Sequence, residues 1–228
     1  MQRLSIEQLQ KLIKDASVLE KDGLGPKVLH LKDGSFLKLF RKRRVFSSET
    51  IKPYAKRFAD NAKTLQKLGF FAPSIIETYR VVDGVNGTAV HYAPLPGLTM
   101  RQVLETAEPN TQRRLIQQFG QLLANLHEQG VYFRSIHLGN VLVLPTAELG
   151  LIDVADMRIE RAPLSLSKRQ RNLKHMCRYK QDHNWLFNLN KEALQEGYSQ
   201  FASPYAQELL RKTVNIKSPR SVFFWRTR

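Results

Sequence analysis

Apolar positions along the chain follow two alternating rhythms, one helical and one extended. Residues 4–16 carry Leu4, Ile6, Leu9, Leu12 and Ile13 near a 3.6-residue spacing, which predicts a short amphipathic helix. Residues 18–40, "VLEKDGLGPKVLHLKDGSFLKLF", switch to short apolar runs punctuated by Gly23, Gly25 and Pro26. Asp33-Gly34 between "KVLHL" and "SFLKLF" is a strong hairpin signal, so two or three antiparallel strands are expected. "RKRR", residues 41–44, follows as a basic loop. Over residues 49–68, Ile51, Tyr54, Ala55, Phe58, Ala62, Leu65 and Leu68 make one helical stripe, and Gly69 supplies a stop. Two further strands flank a turn at Asp83-Gly84 or Asn86-Gly87, and Pro and Gly at 94–97 read as a linker.

Beyond that linker the rhythm changes. "TMRQVLETA" and "NTQRRLIQQFGQLLANLHEQG" read as helices, the second long and amphipathic. "LVLPTAELGLIDVADM" gives two apolar strands around a turn near Thr146-Ala147, and residues 160–228 are basic and mostly helical. The expectation is an α+β chain in three stretches. Residues 1–93 form a small antiparallel sheet with an N-terminal helix and one further helix, 94–100 a hinge, and 101–228 a mainly helical part.

Composition narrows the partners more than the fold. The 228 residues are 42% hydrophobic, enough for a packed core, and no run reaches the length of a membrane span. The N-terminus mixes charge into its apolar positions and reads as an amphipathic helix rather than a signal peptide, so a cytoplasmic location is expected. Cys177 is the single cysteine, which excludes an internal disulfide and a cysteine-based zinc site. Lys and Arg number 36 against 20 acids, a formal net charge of +16. That excess favours an anionic partner: nucleotide, nucleic acid, phosphorylated glycolipid or an anionic membrane face. A solvated basic surface would give the same count, and charge does not choose among the anions.

The candidate chemistry lies in "VYFRSIHLGNVLV", residues 131–143. Two apolar runs flank a polar insert, the pattern of a loop tied into a core at both ends. Asn140 comes five residues after Ser135, and Asp153 thirteen residues after Asn140. An amide oxygen and a carboxylate on adjacent loops suit Mg²⁺, which prefers oxygen ligands and neutralises a triphosphate as its γ-phosphoryl group transfers. Separately, Asn140 could cap a turn and Asp153 could end a strand. Asp156 is a second acid nearby, either a ligand or a helix cap.

The order of elements and this spacing resemble the protein kinase-like fold, with a small antiparallel-sheet N-lobe and a reduced, mainly helical C-lobe. The resemblance implies ATP and Mg²⁺ as cofactors. It puts Asn140 and Asp153 on the metal, Lys38 of "SFLKLF" on the α/β-phosphates, and Gly23 and Gly25 of "KDGLGPK" in the loop over the phosphates. "HYAPLPGLTM", residues 91–100, would be the hinge, its backbone from Tyr92 to Pro94 meeting the adenine edge. Lys38 alternates with Leu37 and Leu39, so its side chain takes the opposite face from theirs; a solvent-facing sheet lysine gives nearly the same local pattern.

Within that fold, "YAPLPGLTMR", "GVYFRSIHLGNVLV", "LGLIDVADMR" and "RAPLSLSKRQRNLKHMCRY" are similar to the bacterial lipopolysaccharide-core kinases, including the small toluene-tolerance-type proteins. The likeness covers residues 18–185 and implies phosphorylation of a core sugar, heptose, at the inner face of the inner membrane. The implied partners are anionic glycolipid, other core kinases and the membrane surface. Three departures stand out. Ser135 occupies the position of the catalytic Asp beside Arg134, and His137 is a substitute base or a structural loop residue. Phe133 replaces a histidine. The helix at 49–68 offers no Glu for Lys38; Asp60 and Asn61 lie near the expected level, and Asn61 could bond the lysine without neutralising it. A scaffold that has lost catalysis therefore stays open. So does RNA, ranked behind glycolipid, as partner of the basic stretch Lys168, Arg169, Arg171, Lys174 and Arg178 and of the tail at 217–228, in the manner of small tRNA-modification-complex kinases.

Overall fold

The computed structural model describes residues 1–41, 52–82 and 87–214. The expected basic loop beyond Arg41, Ile51, both alternatives for the turn at 83–87 apart from Gly87 itself, and the basic tail at 217–228 lie outside the described residues. In chain order the elements are β1 (Gln2–Leu4), α1 (Ile6–Leu12), β2 (Ser17–Asp22), β3 (Gly25–His30), β4 (Phe36–Arg41), α2 (Tyr54–Lys67), β5 (Ser74–Val81) and β6 (Gly87–Ala93). Then come β7 (Leu98–Thr99), α3 (Met100–Thr106), α4 (Pro109–Glu128), β8 (Val131–Phe133), β9 (Val141–Val143), β10 (Leu149–Leu151) and β11 (Met157–Ile159). α5 (Leu166–Met176), α6 (Lys180–His183), α7 (Lys191–Ser199) and α8 (Pro204–Val214) complete the described chain, with one π-helical stretch at Asn184–Leu189. The class is α+β, and no helix among the described residues is long and apolar enough to cross a membrane.

The chain divides into two compact units. The first comprises Met1–Leu98 and Asn140–Arg158, and the second Thr99–Gly139 and Ile159–Arg228. Asn140–Arg158 follows the linker in sequence yet belongs with the first unit.

The first unit is built on a six-stranded sheet in the order β1-β5-β6-β4-β3-β2. The sheet is mixed rather than purely antiparallel, because β1 runs parallel to β5. Residues 2–4 were expected to lead into a helix; instead they are extended, and Leu4 is buried. The cause is local. The Ser5 side chain accepts a hydrogen bond from the Gln8 N–H, and the Gln8 side chain accepts one from the Ser5 N–H. This capping box starts the helix at Ile6 and releases the preceding residues to pair. Pro53, extended at ψ 147°, likewise delays the described start of α2 to Tyr54. The Asp33-Gly34 hairpin forms as expected, with Gly34 at φ 83°, and Gly69 ends α2 at φ 83°.

Strand alternation sorts the sheet into two faces. Leu37 pairs with His91 and Leu39 with Ala89, so these four share a face. There Leu29, Leu31, Leu37 and Ala89 are buried against Leu9, Leu12, Ile13 and Ala16. Phe36 pairs with Tyr92 and Lys38 with Val90 on the opposite face. That face receives α2 through Phe58, whose ring lies 5.1 Å from Tyr92 and 6.5 Å from Phe40.

In the second unit α4 packs along α7 at a distance set by two glycines. A Cβ on Gly197 would lie 1.9 Å from the Gln117 carbonyl, and one on Gly120 would lie 2.5 Å from the Leu194 carbonyl. Only hydrogen atoms fit between these backbones.

Candidate active site

Lys38 lies on the sheet face that receives α2. Its side chain is 6% exposed, and its ammonium donates to the Asp153 carboxylate at 2.7 Å. A solvent-facing sheet lysine is thereby excluded; the face opposite Leu37 is covered by α2, and burial of the ammonium requires a counter-charge. The Asp153 side chain keeps 41% of its surface exposed. A carboxylate offers about four lone-pair sites, so acceptor capacity remains beyond the lysine. Asp153 also has a left-handed backbone, φ 54° and ψ 45°. For a residue with a Cβ this is a sparsely populated conformation that costs on the order of 1–3 kcal/mol and persists only where its surroundings enforce it.

Those surroundings are visible. The Leu151 N–H donates to the Phe71 carbonyl at 2.8 Å, and the Ile152 N–H donates to the Asn140 carbonyl at 3.0 Å. Asn140, itself buried, thus lies against the residue preceding Asp153. On the far side of Asp153, the Asn61 amide of α2 donates to the Val154 carbonyl at 2.8 Å and the Met157 carbonyl at 3.2 Å. Asn61 does not bond Lys38: its amide nitrogen donates to the turn, and the Lys38 ammonium donates to Asp153 instead. Asp60 is also elsewhere, paired with Lys52 and Lys56. Asp156 closes the short 3-10 turn Val154–Asp156.

Gly23 and Leu24 form the tip of the β2–β3 hairpin, where Asp22 faces Gly25. Gly25 has φ 109°, and Arg41 lies beneath it, donating to the Gly25 and Pro26 carbonyls and to Asp22. The Leu24 N–H is taken by the Asp22 side chain at 2.9 Å. The tip is thus a compact turn with a guanidinium at its base. Tyr92 contributes a buried ring to the α2 face, and burial, with Asp153 nearby, pushes its hydroxyl well above the usual tyrosine range. Its backbone lies within the sheet between Phe36 and Ile75, so the strand's open end begins only after Ala93.

The second unit holds the rest of the motif. Phe133, Ile136 and Leu138 are buried while Arg134 is exposed and Ser135 and His137 are half-buried, the pattern of a loop pinned by alternate residues. Asp182 is fully buried and makes the main tie. It accepts the Leu138 N–H at 2.9 Å and a two-point ion pair from Arg101 at 2.9 and 3.0 Å. The His137 ring packs on Tyr179 at 4.5 Å, and Arg101 sits 5.0 Å over the same ring. His137 Nδ1 accepts the Gly139 N–H at 3.0 Å. In the neutral ring its other nitrogen therefore carries the proton, which suits donation and not proton abstraction.

A second network holds the start of this loop. Arg169 donates to the Tyr198 hydroxyl at 3.4 Å, Tyr198 donates to His127 Nδ1 at 2.8 Å, and His127 Nε2 donates to the Asn172 oxygen at 3.3 Å. The Asn172 amide then donates to the Phe133 carbonyl at 2.9 Å. Burial first, and the Arg169 charge second, lower the His127 pKa to about 3, so the ring is neutral. Arg169, counted above in the basic stretch, is 3% exposed and paired with Glu128. Lys168 pairs with Glu160. Arg171, Lys174 and Arg178 stay exposed.

Sequence patterning missed Arg101, Asp182 and the His127 network. One signal was present: Asp182 is the first acid after Glu160, across a long cationic stretch.

Among the described residues no group of three or more His, Cys, Asp and Glu side chains could hold a metal. A cation at this site would instead rest on the half-exposed Asp153 carboxylate and the Asn140 amide together with phosphate oxygens. That donor set suits Mg²⁺, which commonly takes few protein ligands. No protein-family model matches the chain, and no curated protein matches it.

Proposed function

We propose that the chain is a kinase-like protein of the two-lobed protein kinase-like fold, binding ATP and Mg²⁺ and phosphorylating, or assisting phosphorylation of, a lipopolysaccharide core sugar. The observation that carries the reading is the buried Lys38 paired at 2.7 Å with a left-handed, half-exposed Asp153. A buried ammonium and a strained carboxylate on one face are costly as scaffolding and useful as a phosphate and metal site. Lys38 would hold the phosphates, and Asp153 with Asn140 would hold Mg²⁺. The metal would supply charge neutralisation to the triphosphate. Arg134, Ser135 and His137 occupy the acceptor-side positions of the motif.

The anionic acceptor is supported by the net charge of +16 and by Arg171, Lys174 and Arg178, which share one face of α5 and the turn after it. Such a row suits phosphorylated glycolipid at a membrane face.

One observation favours a second reading, a nucleotide-binding scaffold. Ser135 is a poor base, and the accepting nitrogen of His137 is already used by Gly139. Phosphoryl transfer depends mainly on positioning and charge stabilisation, so turnover survives loss of a base at reduced rate. Transfer of labelled γ-phosphate from ATP to dephosphorylated core oligosaccharide separates the two readings. An enzyme gives product that Asp153→Ala abolishes; product no greater than that of Asp153→Ala leaves the scaffold.

A further inference from the structure

The two hydrogen bonds of Asn61 carry more than packing. We infer that Asn61 is a positioning residue for the metal site, holding Asp153 in its left-handed conformation from α2; this rests on the nucleotide-binding reading above. The carbonyls it binds belong to Val154, directly after Asp153, and to Met157, directly after the 3-10 turn. Both residues are buried, so water cannot replace the amide. The Val154 carbonyl also accepts the Met157 N–H. Asn61 therefore fills the second lone pair of one carbonyl and fixes the spacing between the two.

The helix behind it is rigid. Phe58, Ala62 and Leu65 are all at most 1% exposed. On the strand side, Leu151 and Ile152 are bonded to Phe71 and Asn140. Asp153 is thus clamped before and after, and its backbone cannot relax to the extended or right-handed region while both clamps hold. The helix here does not neutralise the lysine. It holds the turn that carries the lysine's carboxylate partner, so α2 acts on Lys38 through Asp153. An oxygen-only residue at position 61 would set lone pairs against carbonyls, and an aliphatic one would leave both carbonyls unpaired.

The test uses the full chain and the gain in ATP affinity that Mg²⁺ gives, measured by calorimetry with Mg²⁺ and with EDTA. Asn61→Leu is compared with Leu65→Ala, which weakens the packing of the same helix and keeps the Asn61 amide. The expected result is that Asn61→Leu lowers the Mg²⁺-dependent gain by about tenfold or more, as removal of a residue that orients a ligand does. Leu65→Ala keeps the wild-type gain while losing thermal stability. An unchanged gain in Asn61→Leu, or an equal loss in Leu65→Ala, overturns the assignment alone. A wild-type chain that binds no ATP in either arm overturns it together with the reading on which it rests.

Discussion

Two of the buried polar clusters among the described residues differ in how far they are satisfied. In the second unit, Arg169, Tyr198, His127 and Asn172 form a chain in which each donor meets an acceptor, ending on the Phe133 carbonyl. In the first unit, the carboxylate partner that Lys38 has among the described residues is itself half exposed and left-handed. A closed network in a low-dielectric interior rigidifies and specifies a packing. An open, strained one keeps acceptor capacity for something else. The difference separates a histidine that supports a loop from an aspartate that keeps acceptor capacity.

The largest expected effect lies in the frame of the closed cluster. Gly197→Ala forces α7 away from α4, where the added carbon would sit 1.9 Å from the Gln117 carbonyl. A loss of roughly 3 kcal/mol or more is expected, measured by urea denaturation; a loss under about 1 kcal/mol would show that the glycine contact is slack. Next is Ser135→Asp, which restores a base to the loop. If the wild type is a slow kinase, turnover rises by about 100-fold, and an unchanged rate would locate the block elsewhere.

The third effect is acid sensitivity of the closed cluster. His127 titrates at about 3 when folded against 6.5 when free, so the unfolded chain binds the proton more readily between those values. The contribution of His127 is complete above pH 6.5 and is lost as pH falls towards 3. Its slope is at most about 1.4 kcal/mol per pH unit. Urea midpoints between pH 7 and the carboxylate range should fall for the wild type and flatten for His127→Gln. The smallest effect belongs to the open cluster. Lys38→Met leaves a half-exposed carboxylate that water can solvate, and stability should change by no more than about 1 kcal/mol. A larger loss by thermal denaturation would make the Lys38–Asp153 pair structural.

Legibility in the sequence followed distance along the chain. The hairpin at Gly34 and the stop at Gly69 are set by neighbours, and each was readable; strand rhythm put Lys38 opposite Leu37 and Leu39 but left solvent and a buried partner as alternatives. The strand at Gln2–Leu4 was missed because apolar spacing continued through Ser5, whose capping box with Gln8 moves the helix start. Lys38 meets its carboxylate 115 positions away, and Asn61 meets its carbonyls 93 and 96 positions away; no local pattern encodes those pairings. Arg169 misled for the same reason: it looks like its exposed basic neighbours, and only Glu128 and Tyr198, brought by other helices, show it to be internal. Asn140 and Asp153 were singled out as candidates through their spacing, and the left-handed backbone of Asp153 becomes visible only in three dimensions.

The most direct measurement is the calorimetric titration of the full chain with ATP in Mg²⁺, wild type against Asp153→Asn. The account predicts binding by the wild type and a loss of at least about tenfold in the variant, since the substitution removes the carboxylate that pairs with Lys38, which is also the proposed metal ligand. Equal affinity in the two proteins, or no binding by either, would contradict it.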